Sequence, residues 1–420
     1  MTMKPSSIAA LALAAVCGAN AVANAEGVPE TRWVTSWYAA PQAVWDDGFI
    51  LPTNVPRWLD NQVLRETVRL SAGGRAVRIV LSNCYGSAQV QLGEVRIGLR
   101  DGSAPPQRLT FSGHADVAIP PGADVTSDPL TWTVPPLARL SITTYVPGRA
   151  RVASFHWGAR QTIEVDQGKD TRTGAGTPPD AVGHIDGRLF LNAVLVEGEG
   201  TGHTVVTLGD SITDGNGSTP NTDRRWPDFL AQRLASHHIG VANAGISGAR
   251  LLHDGMGQNA LARFERDVLA QPGVSDVIVL LGINDIGWPG SPFAPAERAV
   301  TFDELTVGYR QLAVAAHLRN VRITVGTLPP FEGALEGTPY AGHYSPAKEA
   351  MRTRLNDWIR SASAFDTVVD FDAVLRDPDH PRRLRAEYDS GDHLHPGDAG
   401  YRRMAEAVDV ARLAANGGKP

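Results

Sequence analysis

The sequence predicts an α/β protein in which a three-layer α/β domain with a parallel sheet follows a β-sandwich of jelly-roll type. Three observations carry this. Apolar residues recur mostly at every second position from Glu26 to about Gly200, the spacing of half-buried strands. Beyond Gly200 the period changes, and short apolar runs alternate with helical patterns. The chain has 420 residues, too many for one small core and comfortable for two domains of ordinary size. The expected division is 1–25 as a signal peptide, 26–200 as the sandwich and 201–420 as the α/β domain, with the boundary near Glu197 to Thr201.

The leader comes first. Lys4 supplies a short positive region, Ile8 to Val16 is an apolar stretch of h-region length, and Ala23-Asn24-Ala25 fits the small-residue cleavage rule. The alternative, a buried N-terminal helix, is disfavoured because the stretch is short and ends in small residues. Val16 is too bulky to precede a lipidated Cys17, so a soluble secreted or periplasmic protein is expected. Cys17 would leave with the signal, and the remaining Cys84 cannot form an internal disulfide. It lies at the end of an apolar strand, in Leu81-Ser82-Asn83-Cys84-Tyr85-Gly86, and reads as a small buried filler.

In the sandwich, Leu64, Val68 and Leu70 alternate with Arg65, Thr67 and Arg69. After Ala72-Gly73-Gly74, Val77, Ile79 and Leu81 alternate again, so the pair is expected to be a hairpin. Val90 and Leu92 keep one parity while Val95, Ile97 and Leu99 take the other, which predicts a bulge at Gly93. Leu140, Ile142 and Val146 mark a later strand, and Asp166 to Gly187 reads as a long surface loop. The count of 43 Gly and 29 Pro agrees with many turns.

In the second half, Val205 to Leu208 is a short strand, and Trp226 to His237 a helix with Phe229, Leu230 and Leu234 on its apolar face. Val277 to Leu281 is a continuous apolar run, the mark of a strand buried on both faces. Thr301 and Glu304 form a capping box ahead of Leu305, Tyr309 and Leu312. Val321 to Val325 is the next strand. Ser345-Pro346 starts a helix carrying Met351, Leu355 and Trp358. Thr367 to Phe371 and Tyr401 to Leu413 complete the pattern as a strand and a helix.

Composition bounds the function. The chain is 42% hydrophobic and 20% charged, with no stretch outside the leader apolar enough to span a bilayer. A formal net charge of -6 gives no reason to expect nucleic acid or an anionic membrane as partner.

In an open parallel sheet, ligands sit where strands end. The first strand ends in Gly209-Asp210-Ser211-Ile212-Thr213-Asp214-Gly215, which puts a serine on a strand-to-helix turn with its N–H at a helix start. The next loop is Asn243-Ala244-Gly245-Ile246-Ser247-Gly248, whose last glycine lets backbone approach a ligand. The run through Leu281 ends in Gly282-Ile283-Asn284-Asp285. Near the C-terminus stands Asp389-Ser390-Gly391-Asp392-His393-Leu394-His395-Pro396, where one turn brings Asp392 against His395.

These four segments, in this order, resemble the sequence blocks of the SGNH/GDSL hydrolases. The resemblance covers roughly the second half of the chain and implies a flavodoxin-like parallel sheet and a serine esterase. By it, Ser211 is the nucleophile, Gly248 and Asn284 are oxyanion donors beside Ser211's own N–H, and Asp392 and His395 complete a triad. Ile212 stands where the eponymous leucine would be, a packing position. The added β domain resembles a subgroup of arylesterases and acylhydrolases, some associated with xylan degradation. The roles make physical sense. Serine is a weak nucleophile and needs a base, here His395, whose tautomer Asp392 would fix. The chemistry requires neither metal nor cofactor.

Simpler readings stand beside these. A lone Gly-Asp-Ser is common in loops, and His393 with His395 and Asp392 could be a metal cluster, although no further ligands follow at fixed spacing. His393 itself is expected to be structural or solvent-facing. Asp210, Asp214 and Asp285 are expected to fix loops around the site or to cap helices. Trp33, Trp37 and Trp45 could stack on sugars, but so near a domain start they fit core packing better. No G-x-S-x-G elbow occurs, since Gly245-Ile246-Ser247-Gly248-Ala249 fails at its last position; a Walker A motif is also missing. Gly198, Gly200 and Gly202 precede the first strand, the wrong side for a dinucleotide fingerprint.

The leading expectation is an esterase acting on small acyl groups, with acetyl groups of a polysaccharide as the expected substrate. An aryl esterase or a lysophospholipase is the alternative on the same fold. A carbohydrate-binding protein with an inactive hydrolase half is a third reading. The intact set Ser211, Gly248, Asn284, Asp392 and His395 weighs against it.

Overall fold

The computed structural model describes residues 32–168, 183–198 and 202–415. The leader with Cys17 lies outside the described residues, as do residues 169–182 of the expected loop and 199–201 of the expected boundary.

The second half is built on five parallel strands, Thr204–Gly209, Gly240–Gly245, Val274–Leu280, Arg322–Gly326 and Thr367–Val369. Their spatial order is second, first, third, fourth, fifth, and each neighbouring pair runs parallel. This is the flavodoxin-like order, whose switch point lies between the first and third strands. The first two strands are buried at every residue, as layers on both faces require. Register then aligns their ends: Gly209 pairs with Gly245 on one side and Leu280 on the other. The residues that follow these three positions therefore emerge side by side at the sheet's carboxyl edge.

Helices cover the sheet where the apolar stripes place them. Phe302–Leu318 starts with the predicted capping box: Thr301 Oγ1 accepts from the Glu304 N–H at 3.2 Å, and Glu304 Oε2 accepts from the Thr301 N–H at 2.8 Å. Leu305, Tyr309 and Leu312 face inward from it. Pro346–Ser361 begins at the Ser345 cap. The expected helix at Trp226 runs to Leu234 and tightens into a 3-10 turn, Ala235–His237. The expected C-terminal helix is two, Asp398–Ala407 and Val410–Ala414. Among the described residues no helix is long and apolar enough to cross a membrane.

The first half is antiparallel throughout. One sheet has the order Arg32–Tyr38, Leu191–Gly198, Gly74–Ser82, Leu130–Val134, with Asp124–Thr126 also on Gly74–Ser82. A larger sheet runs Gly183–Leu189, Ser154–Gln167, Trp58–Arg69, Arg139–Arg151, Val95–Leu99, Gln107–Leu109, and Gln42–Ala43 joins Ser154–Gln167. Val34, Leu64, Val68, Ile79, Leu81, Ile97 and Ile142 belong to the core cluster of this half.

Three expectations fail here, the first two for one physical reason. Trp58–Arg69 and Gly74–Ser82 are not a hairpin, because they belong to different sheets. The turn between them passes Gly73, where a Cβ would lie 2.5 Å from the Val134 carbonyl oxygen. Gly93 is not a bulge. Val90–Leu92 pairs with Val117–Ile119 in a separate two-stranded sheet, and Gly93 marks the change of sheet against the Tyr145 ring, 2.7 Å from a Cβ there. Finally, Asp166–Gln167 and Gly183–Gly187, assigned to a loop, are strand ends that pair or continue pairing. Alternation reports which side of a strand is buried and not which strand lies beside it. Trp37 and Trp45 are buried in the core, and Trp33 lies under the Arg78 guanidinium, 4.9 Å from its ring centre.

Candidate active site

Ser211 stands at the first residue of the short helix Ser211–Asp214, two residues past the first parallel strand's end. Asp210 caps it, Oδ1 accepting from the Ile212 N–H at 3.0 Å, and Gly215 closes it in the left-handed region at φ 108°. The turn is tight. A Cβ on Gly209 would fall 2.0 Å from Thr213 Oγ1 and 2.9 Å from the Leu280 carbonyl oxygen.

The C-terminal block folds back so that His395 Nε2 lies 2.7 Å from Ser211 Oγ, and His395 Nδ1 lies 2.6 Å from Asp392 Oδ2. The other Asp392 oxygen accepts the backbone N–H of His395 at 2.8 Å and of Leu394 at 3.0 Å. The carboxylate is thereby held twice, once by the imidazole and once by the backbone carrying it. Partial burial acts to raise the Asp392 carboxyl. The His395 hydrogen bond and charge and the two N–H groups outweigh it, and the group sits far below the usual carboxylate range. His393, in the left-handed region, turns away and binds Asp389. Among the described residues no cluster of three or more His, Cys, Asp or Glu side chains could hold a metal ion.

The second and third blocks meet beside this pair. Asn243 to Gly245, expected in a loop, close the second strand, and the loop proper begins at Ile246. Gly248 has φ +69°, and its missing side chain makes room for Met256 Sδ and Trp288. Asn284 lies in the helix Ile283–Gly287 and donates from Nδ2 to the Ala249 carbonyl at 3.1 Å. Asp285 accepts the N–H groups of Leu251 and Leu252 at 2.7 and 3.0 Å, so two residues of the third block clamp the loop of the second.

The three aspartates differ in how their charge is met. Burial pushes Asp285 up against the pull of its two N–H donors. Burial pushes Asp210 up to about 7, with its Oδ2 lacking a partner among the described residues. Asp214 receives three donors, two of them from Ser247, at 2.6 Å from Oγ and 3.2 Å from N. The third is His156 Nε2, at 3.0 Å. His156 comes from the strand Ser154–Gln167 of the first half, and nothing in its sequence surroundings points to the site. His343 was equally silent. It is buried beside Gly287, and burial, with Lys348 and His395 nearby, pushes it down to about 3.

A cavity of about 190 Å³ opens beside the Ser211 turn, lined by Asn54, Trp157, Arg160, Gln161, Asp186 and Asn216 among others. The Asn216 N–H donates to the Ser211 carbonyl at 2.9 Å, which ties this cavity to the turn. A second cavity, of about 420 Å³, shares Gln161 and Thr162 with it and extends to Arg100, Arg139, Glu164 and His184. Both are lined chiefly by residues of the first half.

Residues 205–408 match the model of the GDSL-like lipase/acylhydrolase family. No curated protein matches the chain. Among solved structures, similar ones include a GDSL-like lipase from Bacteroides thetaiotaomicron, 18% identical, covering 50% of this chain and 87% of that one at a TM-score of 0.36. A variant of an acetyl-xylooligosaccharide esterase from Geobacillus is 23% identical, covering 53% and 96% at 0.35. An acetyl xylan esterase is 18% identical, covering 51% and 99% at 0.37. The chain thus carries a hydrolase domain of the GDSL-like lipase/acylhydrolase family and is a carboxylic ester hydrolase.

Proposed function

We propose that this is an exported serine esterase that removes short acyl groups, acetyl above all, from a carbohydrate alcohol. The carrying observation is the hydrogen-bonded chain Ser211–His395–Asp392 at the carboxyl edge of the sheet. His395 takes the Ser211 proton as Oγ attacks the ester carbonyl, and Asp392 steadies the imidazolium. The oxyanion is met by the N–H groups of Ser211 and Gly248 and by the Asn284 amide. The alcohol leaves with the proton from His395, and water then attacks the acyl-enzyme through the same base.

Two features support the finer reading. Met256 and Trp288 close the wall behind Gly248, within 3 Å of where its Cβ would stand, and we take this closed wall to favour a short acyl group. The cavity beside the Ser211 turn pairs a half-buried indole, Trp157, with amide, carboxylate and guanidinium groups, the mixture that suits a ring rich in hydroxyls. Export rests on the leader at residues 1–25. The division into a β domain and a hydrolase domain near 199–201 is proposed on the change from antiparallel to parallel strands.

The test is hydrolysis of p-nitrophenyl esters of increasing chain length, and of acetylated xylan, by the protein and its Ser211→Ala variant. Serine-dependent release, greatest for acetate and matched by acetate from xylan, is expected. A preference for long chains would point to a lipid esterase such as a lysophospholipase. Equal rates in the two proteins, or none, would remove the triad and favour a binding protein.

A further inference from the structure

His156 is buried, 4% exposed, on a strand of the first half, yet both its ring nitrogens are committed. Nδ1 meets the Ala40 carbonyl oxygen at 2.8 Å and Nε2 meets Asp214 Oδ1 at 3.0 Å. Both partners are oxygen acceptors, so each ring nitrogen is engaged inside the buried site. The neighbouring backbone is pinned as well. The Trp157 N–H donates to Gln42 Oε1 at 2.8 Å, and Gln42 Nε2 donates to the Met256 carbonyl at 2.8 Å.

Asp214 passes this constraint on. Its Oδ2 takes both the hydroxyl and the N–H of Ser247, the residue immediately before Gly248. Gly158, two residues after His156, runs so close that a Cβ there would lie 3.6 Å from Ser247 Oγ. Asp214 itself belongs to the helix that starts with Ser211. One carboxylate therefore links the nucleophile's helix to the loop of the second block, and a histidine from the other half fixes that carboxylate.

We infer that His156 is a positioning residue for the oxyanion site, acting through Asp214 and Ser247 on the Gly248 N–H. The inference rests on the esterase reading above. Without the ring, Asp214 Oδ1 loses its partner, and only the two Ser247 donors on Oδ2 hold the buried carboxylate. The loop then relaxes, and a donor needed only once the oxyanion has formed moves out of line. Such a loss lowers kcat and leaves KM in place.

Two amides of different length separate this from a role in packing alone. In His156→Gln the amide nitrogen reaches the place of Nε2 and donates to Asp214. In His156→Asn it reaches the place of Nδ1 and donates to Ala40 instead. With p-nitrophenyl acetate, His156→Gln is expected within about 3-fold of wild-type kcat. His156→Asn and His156→Ala are expected to fall about 10- to 100-fold at unchanged KM. Circular dichroism melts check folding, and if His156→Ala does not fold the Gln and Asn pair decides. Equal kcat for Gln and Asn, a change in KM in place of kcat, or wild-type kcat throughout would overturn the proposal. Ser211→Ala is run alongside: if it matches wild type, the esterase reading falls and takes this inference with it.

Discussion

Gly248→Ala tests whether the second block is shaped for a bare backbone. The substitution asks an alanine to hold φ +69° and places its methyl 2.3 Å from Met256 Sδ, 2.8 Å from Met256 Cγ and 2.9 Å from Trp288 Cζ2. Left-handed backbone at a residue with a Cβ costs about 1–2 kcal/mol. Forcing a methyl into a packed wall costs about 1–3 kcal/mol more. Urea unfolding followed by tryptophan fluorescence should therefore report a loss of about 2–5 kcal/mol. Met256 can give way only in part, because the Trp288 contact and the backbone strain remain; the rest displaces Gly248, so kcat on p-nitrophenyl acetate should drop about 10- to 100-fold. Adding Met256→Ala removes two of the three close contacts but neither the Trp288 contact nor the backbone strain. A double-mutant cycle should thus return a favourable coupling of about 0.5–2 kcal/mol, part of the packing cost. A Gly248→Ala protein within about 0.5 kcal/mol of wild type, with full kcat and no coupling to Met256, would refute the reasoning.

Two further outcomes follow. Asp392→Asn removes the carboxylate that holds the His395 tautomer and is expected to lower kcat about 1,000- to 10,000-fold with little change in KM, read on the same ester. Asp210→Asn should alter how stability depends on pH. The folded Asp210 titrates near 7 because it is buried, against an ordinary 3.8, so between these values the native state binds the extra proton. Stability then falls as pH rises from about 4 to about 7, by about 4 kcal/mol from this group, and is level above that. Glu66, also pushed up to about 7 by burial against the pull of Arg188, adds in the same direction. Urea midpoints at pH 5 and pH 8 should differ less in Asp210→Asn than in wild type, and an unchanged difference would count against the buried charge.

The placement of the candidate site residues was legible in sequence because the site's parts are local. Ser211, Gly248 and Asn284 each follow a strand of the parallel sheet within a few residues, and strand ends can be read from apolar runs that stop. Asp392 and His395 are three apart and meet by one turn. The capping box at Thr301 and the Ser345-Pro346 start are equally local, so the helices they open were legible too. Pairing was not. Leu64 and Ile79 alternate as hairpin strands would, and only the packing of two sheets sends them apart. His156 was hidden for a related reason: it reaches Asp214 across 58 positions, and a buried histidine among Phe155 and Trp157 looks like core.

The strand Arg32–Tyr38 sets an order on folding. Its partner in the sheet is Leu191–Gly198, with Arg32 opposite Gly198. The Thr35 N–H meets Thr204 Oγ1 at 3.0 Å, a separation of 169 positions, and Tyr38 donates to Asp267 Oδ1 at 2.9 Å, 229 positions away. Closing a loop of that length costs about 4–5 kcal/mol of chain entropy before any contact is made. Arg32–Tyr38 is therefore made long before Leu191–Gly198, the strand that completes its pairing. Until then its apolar edge of Val34, Trp37 and Tyr38 is open to the wrong neighbour. Refolding should accordingly be slow, with the sandwich closing only after the first parallel strand is in place.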